Sequence, residues 1–180
     1  MVDMAAIAAY KPRWAGVVEL NLADQWRAKW VDEQELPANA PVNYAYAMVC
    51  FENFGYAFRP EGTEKWGMIE GPTGDAKPEA FIKAFATKNG ITPARIDLVG
   101  FLECKATRHN KDYQAGDLTV RPLYVVTAKK ASSTPPKETG FERRRFPLNQ
   151  YAVALRARYP ELDDYIGKGA LRYEIIRTKG

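Results

Sequence analysis

The sequence predicts a layered α+β domain in which helices cover a central mixed sheet. Three observations predict it. Val42–Phe51 is apolar on both alternating faces, with Tyr44, Tyr46, Met48 and Cys50 on one side and Ala45, Ala47, Val49 and Phe51 on the other, as in a strand covered on both sides. A glycine-rich loop, Glu70–Asp75, runs into a helix with start and stop signals at Pro78–Asn89. Further strand-like segments, Ile96–Cys104 and Leu118–Thr127, precede a second helix over Asn149–Arg158, an element order that builds layers around one core.

Taken in order, Ala15–Leu20 reads as a first strand and Leu22–Val31 as a short helix with Asp24 near its start. After Val42–Phe51, the turn Glu52-Asn53-Phe54-Gly55 reverses the chain, because Asn and Gly tolerate positive φ. Tyr56–Arg59 returns as a partner strand, and Trp66–Ile69 is a short strand before the glycine-rich loop. In the following helix Pro78 occupies the first turn, where its missing N–H is harmless, and Asp75 precedes the positive end. Phe81 and Phe85 share one side, Glu79 and Lys83 are spaced as an i,i+4 ion pair, and Gly90 closes the helix in the left-handed conformation. Lys105–Gly116 is a polar loop, Ser132–Pro136 a second loop, and Leu171–Arg177 an edge strand.

The 180 residues suit one domain, 1–180. With 46% apolar and 27% charged residues the chain is neither a disordered polymer nor a membrane-spanning protein, since no apolar run approaches about 20 residues. Met1–Tyr10 contains Asp3 and lacks a basic start, so it is not expected to be a signal peptide. Cys50 and Cys104 are too few for a disulfide framework and read as buried thiols of a cytoplasmic protein. The net charge is only +4, but its placement is uneven. Ala128–Arg145 carries six cations (Lys129, Lys130, Lys137, Arg143, Arg144 and Arg145) against Glu138 and Glu142, an excess equal to that of the whole chain.

The stretch Trp66–Asp75, followed by Ala76–Ile91, resembles a Nudix box. The family pattern is Gly-x5-Glu-x7-Arg-Glu-U-x-Glu-Glu-x-Gly-U, with U aliphatic, after a Trp-containing strand and opening a helix. With Gly90-Ile91 as the closing Gly-U, Phe85 stands on the first U, Lys83 on the Arg and Asp75 on the first Glu, separated by the required seven residues. The resemblance implies a Nudix-like α/β/α sandwich with a central mixed sheet, action on nucleotide-like molecules and, as is common among relatives, a homodimer.

The departures bear on chemistry. Where the family has Arg-Glu-U-x-Glu-Glu, this chain has Lys83-Ala84-Phe85-Ala86-Thr87-Lys88, and Ile69 replaces the opening Gly. In the family these glutamates hold Mg²⁺, a hard ion that demands oxygen ligands in near-octahedral geometry. A lysine about 4–6 Å from such an ion adds a repulsion of about 3 kcal/mol per unit charge of the ion at an effective dielectric of about 20. The box therefore predicts no metal and no other cofactor, Mg²⁺ entering only if acids outside the pattern take over.

Four acids remain for that alternative: Glu70 in the loop, Asp75 before the helix, Glu79 on it and Glu103 near the end of a later strand. Each also has a purely structural reading, as a solvated loop acid, a helix-dipole acid, the partner of Lys83 and an outward strand residue. His109, the sole histidine, reads as a loop residue or a general base over the cleft. For ligand binding, Lys83, Lys88 and Arg143 offer cations for phosphate, and Arg59 and Trp66 offer a cation and a stacking face. Neither a G-x-S-x-G nor a P-loop occurs, and no Cys/His spacing fits zinc. Three functions follow in order of preference. The first is a Nudix-like domain that binds a nucleotide or nucleoside-diphosphate-type ligand without ordinary metal-dependent hydrolysis. The second is a diphosphate hydrolase or other small-molecule enzyme with displaced acids. The third is an RNA-binding or assembly module using Ala128–Arg145.

Overall fold

The computed structural model describes residues 10–179. The reading of Met1–Tyr10 thus lies outside the described residues, Tyr10 apart. The elements run β1 (Leu20–Leu22), β2 (Trp26–Val31), β3 (Tyr44–Phe51), β4 (Phe54–Pro60), β5 (Ile69–Pro72), α1 (Pro78–Lys88), β6 (Ile91–Ala106), β7 (Leu118–Ala131), β8 (Phe141–Pro147), α2 (Leu148–Arg158), a 3-10 turn (Pro160–Leu162) and α3 (Asp163–Lys179).

Among the described residues the sheet has eight strands in the order β1-β2-β6-β7-β3-β4-β8, with β5 on the remaining part of β3. It is mixed: β3 and β7 run parallel, with Ala47 opposite Tyr124, while the other named strand pairs are antiparallel. The two-sided apolar pattern of β3 has the expected cause. Ala45, Ala47 and Val49 join Ile82 and Ala86 of α1 on one face, while Tyr46, Met48 and Cys50 join Tyr151 and Leu155 of α2 and Ile166 and Tyr173 of α3 on the other. The sheet is thus sandwiched between α1 and the α2–α3 pair. Gly90 ends α1 with φ +79, the left-handed conformation its sequence position requires. Cys50 and Cys104 are buried free thiols.

Several elements differ from the sequence reading. Leu22–Val31 is not a helix: Trp26 and Ala28 are buried and Arg27 exposed, a period of two, and the segment pairs with β6 from Trp26 opposite Ala106 to Val31 opposite Phe101. Ala15–Leu20 is not a strand, because β1 begins only at Leu20 and Val17 and Val18 are exposed. The strand expected at Trp66–Ile69 starts at Ile69, so Glu70 and Gly71 belong to β5 rather than to the loop. Leu171–Arg177 lies within α3, whose buried Tyr165, Ile166, Gly169 and Tyr173 follow helical spacing. The arginine run, to which the sequence reading assigned no strand, forms β8, the edge strand beside β4, with Arg143, Arg144 and Arg145 opposite Phe58, Ala57 and Tyr56.

Candidate functional site

The box region is built by β5 and α1. Side chains alternate along β5, so Ile69 packs toward α1 while Glu70 points to the opposite face. There Glu70 Oε2 accepts the hydroxyl of Tyr44 at 2.9 Å, and Oε1 accepts that of Tyr159 at 2.6 Å and both Nε and Nη2 of Arg158 at 3.1 and 2.9 Å. On α1, Ile82 and Ala86 are buried, whereas Glu79, Lys83 and Lys88 are exposed, as is Asp75 in the turn before it. No side chain caps the helix start, and Glu79 and Lys83 form no ion pair with each other. Lys88 sits in the last turn, where a cation favours the negative helix end.

Glu103 on β6 is fully buried, and residues 10–14 close over it. Its Oε2 accepts the Tyr10 hydroxyl and the Arg13 N–H (2.9 Å), and its Oε1 accepts the Trp14 N–H at 2.9 Å. The four candidate acids are therefore not brought together. Glu70 faces α2, Asp75 and Glu79 face solvent, and Glu103 is enclosed. Among the described residues no three His, Cys, Asp or Glu side chains converge as a metal-holding group. The donor set does not fit the Mg²⁺ that the box resemblance implies. His109 is exposed in the loop after β6, beside Arg108.

Glu70 does line a cleft of about 430 Å³ on the α2 side. Its other polar walls are Asp24, Tyr44, Tyr46, Lys65, Arg121, Arg158, Tyr159 and Glu161. Arg121 is 3% exposed, lies 4.3 Å above the Tyr44 ring, pairs with Asp24 and donates to the Tyr46 hydroxyl at 3.1 Å. Burial works against its charge, but Tyr46 and Asp24 outweigh that and hold its pKa above the ordinary value. Burial, with Glu70 nearby, likewise raises the phenols of Tyr44 and Tyr159. Three cations here meet three carboxylates, so the cleft is close to neutral.

A second concavity has a different charge. It follows β8 beside the end of α1 and measures about 650 Å³. Arg143, Arg144 and Arg145 line it together with Phe51, Phe54 and Tyr56, and Glu52 is its one acidic wall among the lining residues. Arg143 is committed to structure: it donates to the carbonyls of Asn89 (3.0 Å) and Ser132 and to the Ser132 hydroxyl, tying the end of α1 to the loop after β7. Arg145 lies 4.1 Å over Phe54 and Arg144 4.7 Å over Phe146, and among the described residues neither forms an ion pair. A neighbouring basin of about 460 Å³ shares Pro135, Arg143 and Arg144 and adds Arg59 and Trp66. Arg59 stacks 4.1 Å above the Trp66 ring and pairs with Glu142. Arg59, Trp66 and Arg143, three of the residues singled out for ligand binding, thus meet at one edge, whereas Lys83, Lys88 and His109 lie outside it.

No protein-family model matches the chain, and no curated protein matches it. Solved structures do. A mutant of the Bacillus subtilis pyrophosphohydrolase BsRppH superposes with a TM-score of 0.54 and 11% identity over 72% of this chain and 77% of that one. Also similar are an ADP compounds hydrolase (TM-score 0.45, 12% identity, 97% and 99% covered) and Tm1382, described as a Nudix hydrolase (0.40, 8%, 61% and 59%). With the mixed sheet between α1 and α2–α3, the architecture is settled. The chain has a Nudix-like fold.

Within this Nudix-like fold, sequence reasoning missed Asp24, Tyr44, Tyr46, Arg121, Arg158 and Tyr159 as a connected polar group. One signal was present: Arg121 is a lone charge inside the apolar run Leu118–Thr127, and a buried charge demands partners. Its partner Asp24 is 97 residues away, beyond any local pattern.

Proposed function

We propose that this chain binds a nucleotide or nucleoside-diphosphate-type ligand in the arginine groove along β8, in place of ordinary metal-dependent hydrolysis at the box. The observation that carries this reading is the state of Arg144 and Arg145: exposed guanidinium groups, resting on aromatic rings and in no ion pair among the described residues, in a groove next to the box helix. Stacking holds each guanidinium in one plane, so less freedom is lost when its N–H fork meets phosphate oxygens. Fixed positive charge then does what a carboxylate-bound cation does elsewhere in the family, which is to neutralise phosphate. The guanidinium planes of Arg59, Arg144 and Arg145, each lying on a ring, supply the surface for a base or ribose.

The test is calorimetry against ADP-ribose, nucleoside triphosphates and dinucleotides with EDTA present. Binding is expected without divalent ions, and Arg144→Ala/Arg145→Ala should weaken it about tenfold or more, since a charged hydrogen bond contributes about 1.5–3 kcal/mol. Absence of any binding removes the reading.

One observation favours a second reading, an enzyme with displaced acids: of the four candidates, Glu70 does line a cleft. Release of nucleoside monophosphate from a diphosphate-linked substrate that survives Glu70→Gln would remove it. The buried free thiols suit a reducing compartment, and the cytoplasm is the proposed location. No helix among the described residues is long and apolar enough to cross a membrane.

A further inference from the structure

We infer that the ligand of the β8 groove is a segment of single-stranded nucleic acid rather than one free nucleotide, an inference that rests on the groove reading above. Three features carry it. The first is extent. The basins of about 650 and 460 Å³ share Arg143, Arg144 and Pro135, so the concavity continues past β8 from the Phe54–Tyr56 side to the Trp66 side. Either basin alone lies within the 300–1,000 Å³ range of a small-ligand site. Together they offer room for successive units of a chain.

The second is spacing. Residues at successive positions of a strand are about 3.3 Å apart and point to opposite faces. Arg145 therefore stands with Phe54 and Tyr56 on one side of β8, and Arg144 with Phe146 on the other. Cations on both sides of one edge can contact consecutive phosphates of a backbone that crosses it. All three arginines line the larger basin and Arg143 and Arg144 the smaller, so the row of cations runs from one basin into the other. The third is charge. The segment Ala128–Arg145 holds the chain's whole net excess of +4, with Lys129 and Lys130 exposed at the end of β7. This is complementary to a polyanion. A single strand is favoured over a duplex because its bases are free to stack on the guanidinium planes of Arg144, Arg145 and Arg59, whereas a duplex hides them.

The experiment measures fluorescence anisotropy of labelled ten-nucleotide oligo(U) and oligo(dT), the corresponding duplex, and ADP-ribose as competitor, all with EDTA. The single strand is expected to bind at least tenfold more tightly than ADP-ribose and than the duplex. Raising KCl from 50 to 200 mM should weaken it about 7- to 20-fold, as for two to three phosphates neutralised. Arg144→Ala/Arg145→Ala, at two exposed positions, should abolish the preference while the circular dichroism spectrum is retained. Lys83→Ala/Lys88→Ala, which removes equal charge from the outer face of α1, should change affinity less than twofold. An oligonucleotide no tighter than ADP-ribose, a duplex bound as well as the strand, or equal losses in the two double variants overturns the inference and leaves the small-ligand reading standing. If neither ADP-ribose nor oligonucleotide binds, both fall together.

Discussion

Tyr151 occupies the space that a side chain on Gly55 would need: a methyl group there would lie 2.1 Å from the Tyr151 ring. The ring comes from α2 and is fully buried, and its hydroxyl accepts the Val49 N–H at 2.9 Å and donates to the Tyr56 carbonyl at 3.0 Å. Val49 and Tyr56 are paired across β3 and β4, so one phenol fastens the helix to the hairpin. Gly55→Ala should destabilise the protein by about 1–3 kcal/mol or more through overpacking. Tyr151→Phe, which strands a buried N–H and C=O, should cost about 1–3 kcal/mol. Urea denaturation of both variants checks this, and unchanged midpoints would contradict the geometry.

Glu103 holds residues 10–14 to the sheet through three acceptor contacts, and Lys105 stands 4.2 Å from the ring of Trp14 in the same segment. Glu103→Gln exchanges one acceptor oxygen for a donor, so at least one buried N–H or O–H then faces another. Stability should fall by about 1–3 kcal/mol, and trypsin should cut after Arg13 faster than in the unaltered protein. Equal cleavage rates would show that the carboxylate is not what fastens this segment.

Alkaline pH should unfold the protein. Burial pushes the Cys104 thiol up from 9.0 to about 12, and it also raises Cys50 and, together with Glu70, the phenols of Tyr44 and Tyr159. At neutral pH these groups are protonated in both states, so the stability they contribute is fully present. Above pH 9 for Cys and 10 for Tyr, the unfolded chain loses protons that the folded chain keeps. Each such group then lowers stability by about 1.4 kcal/mol per pH unit until its folded pKa is reached. Urea midpoints at pH 8, 9.5 and 10.5 should fall progressively; a flat profile would contradict the burial of these groups.

Glu70 should prove structural with respect to the groove. Glu70→Ala leaves Arg158, Tyr44 and Tyr159 without their common acceptor. Because both ionic side chains are partly exposed, a loss of about 1–3 kcal/mol is expected, below that for a fully buried pair. ADP-ribose affinity should stay within twofold, since Glu70 lines the other cleft. A parallel loss of affinity would move the ligand from the groove to the tyrosine-lined cleft.

How much was legible depended on whether the signal was local. The helix α1 could be read because Pro78 and Gly90 punctuate it, and β3 because both its faces are apolar. The second strand was lost because Trp26 and Trp30, four apart, imitate a helix face, while its true partners, Ala106 to Phe101, lie far along the chain. The third helix was lost for a related reason: Leu171, at 61% exposure, and Ile175, at 37%, are apolar residues turned outward, and they disguised the buried spacing of Tyr165, Gly169 and Tyr173. The box registered as a pattern of residue types, yet no pattern could reveal that β5 turns Glu70 away from α1. Three consecutive arginines hid the alternation of β8, and with it the fact that Arg59, Trp66 and Arg143 share an edge.

That edge has a consequence for how the protein behaves in concentrated solution. The last strand of a sheet presents an unsatisfied row of amide and carbonyl groups to any other chain that can lie alongside it. On β8 this row is flanked by Arg143, Arg144 and Arg145, so two copies approaching edge to edge meet with the same sign of charge and repel. Neutralising those arginines, whether by substitution or with polyphosphate, removes the repulsion and opens a route to edge-to-edge pairing of two copies.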